Sequence, residues 1–250
     1  MSTAIPFSRT APAAPSRAAA SLPARVAGVV RAPRLTFGAL MLAPRWGDVL
    51  ALTCAITFLA SAAFLSTEVG RLALLDQMER TAVAFGQPLD DAGYATLLRA
   101  SENGVSYAAI MTLASGPLLV FAISLLLYFI FTKKAGGTAT YRQVLAIAAH
   151  AGVILALRQA LVAPLNYARE TLASPLTLSL FFNTLDEASP IARFFGAIDL
   201  FVLWWASALA IGTAVLYGRR TRRLVMTFAG AYLALAALLA LAMALSGGAA

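Results

Sequence analysis

The sequence predicts an all-α polytopic membrane protein. It is read as a bundle of five transmembrane helices, N-terminus cytoplasmic and C-terminus outside, with short amphipathic interfacial helices. Three observations predict it. Of 250 residues, 60% are hydrophobic and 12% charged, and the mean hydropathy is +0.80; a soluble domain would be about half apolar and about a quarter charged. Five apolar stretches approach the roughly 20 residues that a spanning helix needs. The third observation is an uneven distribution of Lys and Arg among the loops between them.

Residues 1–21, rich in Ala, Pro, Ser and Arg, read as a disordered basic tail. No apolar core follows the early arginines, which argues against a secretory signal peptide; a mitochondrial transit peptide has a similar composition. Residues 22–45 form a cytoplasmic amphipathic segment. Val26, Val29 and Val30 recur at helical spacing beside Arg25 and Arg31, Pro33 interrupts, and Phe37, Leu40 and Met41 resume the spacing. Two short helices lying on the membrane surface fit this, their arginines facing anionic head groups; the alternative is a packed cytosolic helix.

Residues 46–246 make up the transmembrane domain. Span one covers about 48–66 and follows Pro44-Arg45-Trp46, residues suited to the interface. The polar interlude Glu68 to Asn103 reads as two short amphipathic helices, broken at Gly86-Gln87-Pro88 and restarted at Asp90 or Asp91. Span two, about 107–132, contains Gly116-Pro117, a pair expected to kink it because proline removes a donor and clashes with the preceding turn. Span three, about 141–165, carries His150 and Arg158 and is expected to end at Pro164 and Asn166. Ser174-Pro175 starts a short interfacial helix over 175–182. Ser189-Pro190 then opens span four, about 191–217, and span five covers about 224–245.

The loops before span one, between spans two and three, and between spans four and five carry 13 Lys and Arg and one acid, Asp48. The other two loops carry Arg71, Arg80, Arg99, Arg169 and Arg193 against nine acids. The first set is therefore cytoplasmic. The net charge of +8 is mostly topological, and nucleic acid is not an expected partner.

Several site chemistries are excluded. The single cysteine, Cys54, allows no intramolecular disulfide or Cys-based metal site, and its apolar surroundings mark it as a small hydrophobe. One histidine excludes a multi-histidine metal site within one chain. No HExxH, nucleophile elbow, GxxxxGK[ST] or CxxC is present, and the paired carboxylates Asp90-Asp91 and Asp186-Glu187 fall in outer loops. No catalytic residue, cofactor or metal is expected.

Pro33 with Thr36-Phe37, Pro44-Arg45-Trp46, the opening Tyr141-Arg142-Gln143-Val144 with His150, and Asp199-Leu200-Phe201-Val202-Leu203-Trp204 followed by Ile211-Gly212 give the chain a resemblance. Over about residues 25–245 it resembles Yip1-domain membrane proteins of the bacterial type. The resemblance implies a five-helix bundle with a cytoplasmic N-terminus, placed in a bacterial cytoplasmic (inner) membrane. Eukaryotic relatives work in membrane traffic and contact small prenylated GTPases; they have longer cytoplasmic N-terminal regions, to which nothing in this chain is matched.

The most informative stretch is Gly196 to Gly212, apolar enough to cross a bilayer yet carrying Asp199. A charge at that depth costs roughly 2.5–3.5 kcal/mol and calls for a partner. Arg158 in span three is at a suitable depth, each residue being roughly 10–12 Å below the outer end of its helix at 1.5 Å per residue. The pair either sets helix register or forms the polar wall of an outward-facing cavity; alternatively Arg158 snorkels alone. His150, two turns below Arg158, is grouped with them as the third candidate. Trp204, Trp205 and Gly212 are read as helix-packing residues. The function expected is non-enzymatic: organising or associating with the bilayer or with other membrane proteins. Membrane lipids are the expected partners. The alternative is a small transporter or permeation subunit using Asp199, Arg158 and His150; an intramembrane enzyme is a third reading.

Overall fold

The computed structural model describes residues 20–87, 89–172, 174–182 and 189–247. The expected basic tail lies outside them apart from its last two residues, as do Pro88, the Asp186-Glu187 pair and residues 248–250. Among the described residues the architecture is all-helical, and extended pairing is limited to one bridge, Thr177 with Asp199.

Four helical runs are long and apolar enough to cross a bilayer: Gly47–Leu65, Gly104–Lys134, Tyr141–Arg169 and Thr221–Ala242. A fifth apolar helix, Leu200–Leu216, has 17 residues, the lower edge of the ~17–25 that span. Span four thus departs from expectation. Instead of one helix over 191–217, the chain forms α10 (Pro190–Ala197), breaks at Ile198-Asp199, and restarts as α11 (Leu200–Leu216).

The N-terminal hairpin consists of α1 (Leu22–Arg31) and α2 (Pro33–Leu42). Pro33 sits in the first turn of α2, where its missing N–H is no loss. Arg25, Val29, Phe37 and Leu40 are buried, while Leu35 and Leu42 face outward. The hairpin therefore turns one apolar face onto the bundle and does not simply lie on a lipid surface.

Span one is α3 (Gly47–Leu65). The polar interlude forms α4 (Glu68–Ala84) and α5 (Asp91–Glu102), whose N-caps Thr67 and Asp90 accept from Gly70 N and Gly93 N. Ala73 and Leu74 of α4 pack with Phe64, Leu65, Ala108 and Ala163, so this interlude rests on the ends of the spans. Span two runs through α6 (Gly104–Ile110), a π-helical turn over Met111–Ser115, α7 (Gly116–Tyr128) and a second π-helical turn over Phe129–Lys134. The first π turn directly precedes Gly116-Pro117. The proline is accommodated by widening the turn before it.

Span three is the centre of the bundle: α8 (Tyr141–Ala151) and α9 (Val153–Arg169). Every residue from Val144 to Ala151 is buried. Thr140 and Gln143 cap α8 reciprocally, and Gln143 Nε2 also donates to the Met41 carbonyl at 3.1 Å, tying down the end of α2. Pro164 lies inside α9 and does not end it; the helix runs on to Arg169, with Glu170 left-handed at its end. Proline is tolerated in spanning helices where neighbouring groups re-satisfy the backbone. The expected interfacial helix over 175–182 is reduced to a 3-10 turn at Leu178–Phe182. The last element is α12 (Thr221–Gly247).

Candidate functional site

The break between α10 and α11 builds the site around Asp199. As N-cap of α11 its Oδ1 accepts from Phe201 N at 2.8 Å and Val202 N at 3.3 Å. A carboxylate at a helix start also meets the positive end of the helix dipole. Its Oδ2 accepts from Arg158 Nε and Nη2, both at 2.7 Å, and from Ser174 Oγ at 2.8 Å. Asp199 is thus not a charge in mid-helix, as the apolar run suggested, but the start of a helix.

The backbone groups exposed by the break are also matched. Leu178 N donates to the Ile198 carbonyl at 2.9 Å, and Leu200 N donates to the Leu176 carbonyl at 3.0 Å. Asp199 N donates to Tyr232 Oη at 2.8 Å, and Tyr232 Oη donates to the Ala197 carbonyl at 2.9 Å. Irregular backbone at membrane depth is tolerated only where protein supplies such partners. The loop after α9, the α10–α11 break and α12 are consequently tied into one knot, with Arg158 of α9 closing it.

His150 does not join this group. It is fully buried in α8, where its Nδ1 is 2.8 Å from the Ala146 carbonyl and its Nε2 is 3.0 Å from Arg25 Nη1. A carbonyl only accepts and a guanidinium only donates, so the contacts assign the neutral tautomer with hydrogen on Nδ1. Arg25 also pairs with Asp48 through Nη2, and its Nη1 donates to Asp48 Oδ1 at 3.4 Å. Arg25 and Asp48 were not singled out as site residues. Two signals pointed to them: Arg25 lies one turn before Val29 on the apolar face of α1, and Asp48 is the one acid of the cytoplasmic set.

Arg25→Met keeps the apolar stem but leaves His150 Nε2 without a donor and Asp48 without its cation. The expected cost is about 1–3 kcal/mol, read as a lower Tm of the purified protein in detergent. An unchanged Tm would mean that this cluster does not hold the hairpin.

Trp204 and Trp205 pack, partly buried, against the central cluster. Gly212 faces Phe37 and Ile147: a Cβ there would be 2.5 Å from Ile147 Cγ2 and 3.2 Å from the Phe37 ring. Between α3, the π-helical turn with α7, α8–α9 and α11 lies a cavity of about 370 Å³, bordered by Arg158, Gln159, Gly116 and Trp205. Among the described residues no group of three or more His, Cys, Asp or Glu side chains could hold a metal ion.

Long apolar helices, charges paired inside the bundle and a helix break satisfied by its neighbours define a polytopic α-helical membrane protein. The chain belongs to the Yip1 domain family, whose model matches residues 27–244, nearly its whole length. No curated protein and no solved structure matches it.

Proposed function

We propose that this multi-pass membrane protein acts without catalysis, organising or associating with the bilayer or with other membrane proteins. The single observation that carries the reading is the state of Asp199, whose carboxylate takes five donors from its own chain. A carboxylate so occupied serves as a structural tie, and it has little capacity left for a passing ion. The proposal includes five spans with α11 as the fourth, the N-terminus cytoplasmic and the C-terminus outside, in a bacterial inner membrane. The basic loops support that orientation.

The second reading is a small transporter or permeation subunit using Arg158, Asp199 and His150. The cavity beside Arg158 favours it, and the separate engagement of His150 with Arg25 weighs against it. Purification from native membranes, with identification of co-purifying lipids and proteins, tests the first reading: a reproducible membrane-protein or lipid partner is expected. Solute flux through reconstituted protein that disappears in Asp199→Ala would replace it with the second. For the topology, a reporter active only in the cytoplasm is expected to stay silent when fused to the C-terminus, and activity there would overturn the five-span arrangement.

A further inference from the structure

The hydroxyls of the spanning helices divide into two groups. Beyond the first turn of each α-helical span, Thr53, Ser124, Ser207, Thr213 and Thr227 donate to a carbonyl of their own helix, three or four residues back, at 2.6–2.9 Å. Such back-bonding is the ordinary way for a hydroxyl to be satisfied in a low-dielectric medium. Thr57, Ser61, Thr112 and Ser115 have no acceptor for their hydroxyls among the described residues. All four line the same cavity between α3, the π-helical turn and α9.

The remaining polar groups of that wall point the same way. Ser61 Oγ receives Gln159 Nε2 at 3.0 Å, so its own hydrogen remains to be donated. Arg158 uses Nε and Nη2 on Asp199, and its Nη1 has no partner among the described residues. The cavity thus collects hydroxyl donors and one guanidinium N–H, while the rest of its lining is largely apolar. Met111 and Leu119 at its border are nearly half exposed, which opens it sideways from the bundle. Arg158 is 11 residues before the end of α9, or about 16 Å along it. The mouth therefore faces hydrocarbon.

We propose that this cavity binds one acyl-chain amphiphile, its chain along the apolar wall at Leu119, Val120 and Ile123 and its carbonyl or carboxylate oxygen against Thr112, Ser115 and Arg158 Nη1. The volume lies within the ~300–1,000 Å³ usual for small-molecule sites. An acceptor oxygen is what the unpaired donors require, and a chain is what fits an apolar cleft open to hydrocarbon. An ester-linked membrane lipid and a free fatty acid share this chemistry. The π-helical turn has a role here, since its wide backbone brings Thr112 and Ser115 to the cavity without back-bonding.

The inference deepens the bilayer-association part of the proposed function, and its failure leaves an association with membrane proteins untouched. Full-length protein is reconstituted in phosphatidylcholine vesicles containing a diazirine-bearing fatty acid in one arm and a diazirine-bearing phospholipid in the other. After photolysis, labelled peptides are mapped, with the outward leucines of α12 (Leu235, Leu238, Leu241) as the bulk-lipid reference. Labelling is expected to concentrate on residues 111–123 and 155–159, and the productive arm names the source of the chain. Combining Thr112→Val with Ser115→Ala should lower the ratio of cavity to α12 labelling by about three- to ten-fold. Thr57→Leu, which fills the cleft from α3, should do the same. A ratio equal to the bulk reference in both arms, or one unchanged by both variants, would overturn the site.

Discussion

Asp199→Leu is expected to be the most damaging single substitution in the spanning helices, lowering the thermal stability of purified protein by about 3–5 kcal/mol. The loss has two origins. It strands the Arg158 guanidinium, whose side chain is only 25% exposed, without its anion. It also removes the cap of α11, commonly worth about 0.5–2 kcal/mol. Arg158→Met should cost less, because the carboxylate keeps Phe201 N, Val202 N and Ser174 Oγ as donors. Pairing Arg158→Met with Asp199→Leu should recover only the electrostatic part, since the cap stays lost. Pairing Arg158→Met with Asp199→Asn should recover most of the stability, because the amide oxygen can still accept from the helix start. Single variants as stable as the parent would mean that the pair contributes nothing. A fully recovered Arg158→Met/Asp199→Leu protein would remove the cap from the account. If the Asn-containing double variant is stable yet loses a cellular phenotype that the parent supports, the pair has a role beyond register.

The second large effect is expected at Gly212, where α2 docks onto α11 and α8. Overpacking a filled core typically costs about 1–3 kcal/mol, and Gly212→Ala falls in that class because its Cβ would sit 2.5 Å from Ile147 Cγ2. Gly212→Leu exceeds what the socket can absorb. It should displace Phe37 and with it the hairpin, speeding proteolysis at Arg31 and Arg34. Ile147→Leu moves the branch away from Cβ at nearly constant volume, so combined with Gly212→Ala it should restore part of the stability. That coupling is measurable in a double-mutant cycle. Gly230→Ala in α12 is the control: nothing lies within 4 Å of the added Cβ, and its stability should match the parent or rise slightly. Equal effects at both glycines would mean that helix propensity, and not the socket, explains Gly212.

Local composition made much of the fold legible. Spans one, two, three and five could be placed from apolar run length alone, because a chain segment in hydrocarbon must satisfy its backbone within itself. Asp90 and Ser189 could be recognised as helix starts for an equally local reason: each caps by accepting from a backbone N–H three positions on. The interruption of span four is different. Hydropathy stays high through Ile198 and Leu200, and a run of apolar residues carries no information about the partners of its backbone groups. What opens the helix there is Leu176 and Leu178 bonding across, with Tyr232 bridging Asp199 N and the Ala197 carbonyl.

Arg158 was legible as a partner for Asp199 because neighbouring antiparallel spans can be compared by depth. His150 was not, because its partner Arg25 lies 125 positions away in a hairpin whose docking no periodicity announces. The identity of the cavity hydroxyls was likewise hidden: Thr53 bonds back to its own helix while Thr57 and Ser61 of the same helix line the cavity, and composition does not separate them. By itself, then, the sequence determined that this chain enters a membrane, and its charge placement argues which way each apolar run points; hydrocarbon and the basic-loop bias both act on residues one segment at a time. Tertiary structure alone decided where a helix breaks, which charges meet and which donors are left over. Those outcomes depend on backbone and side-chain groups that are remote in the chain and close only after the helices have packed.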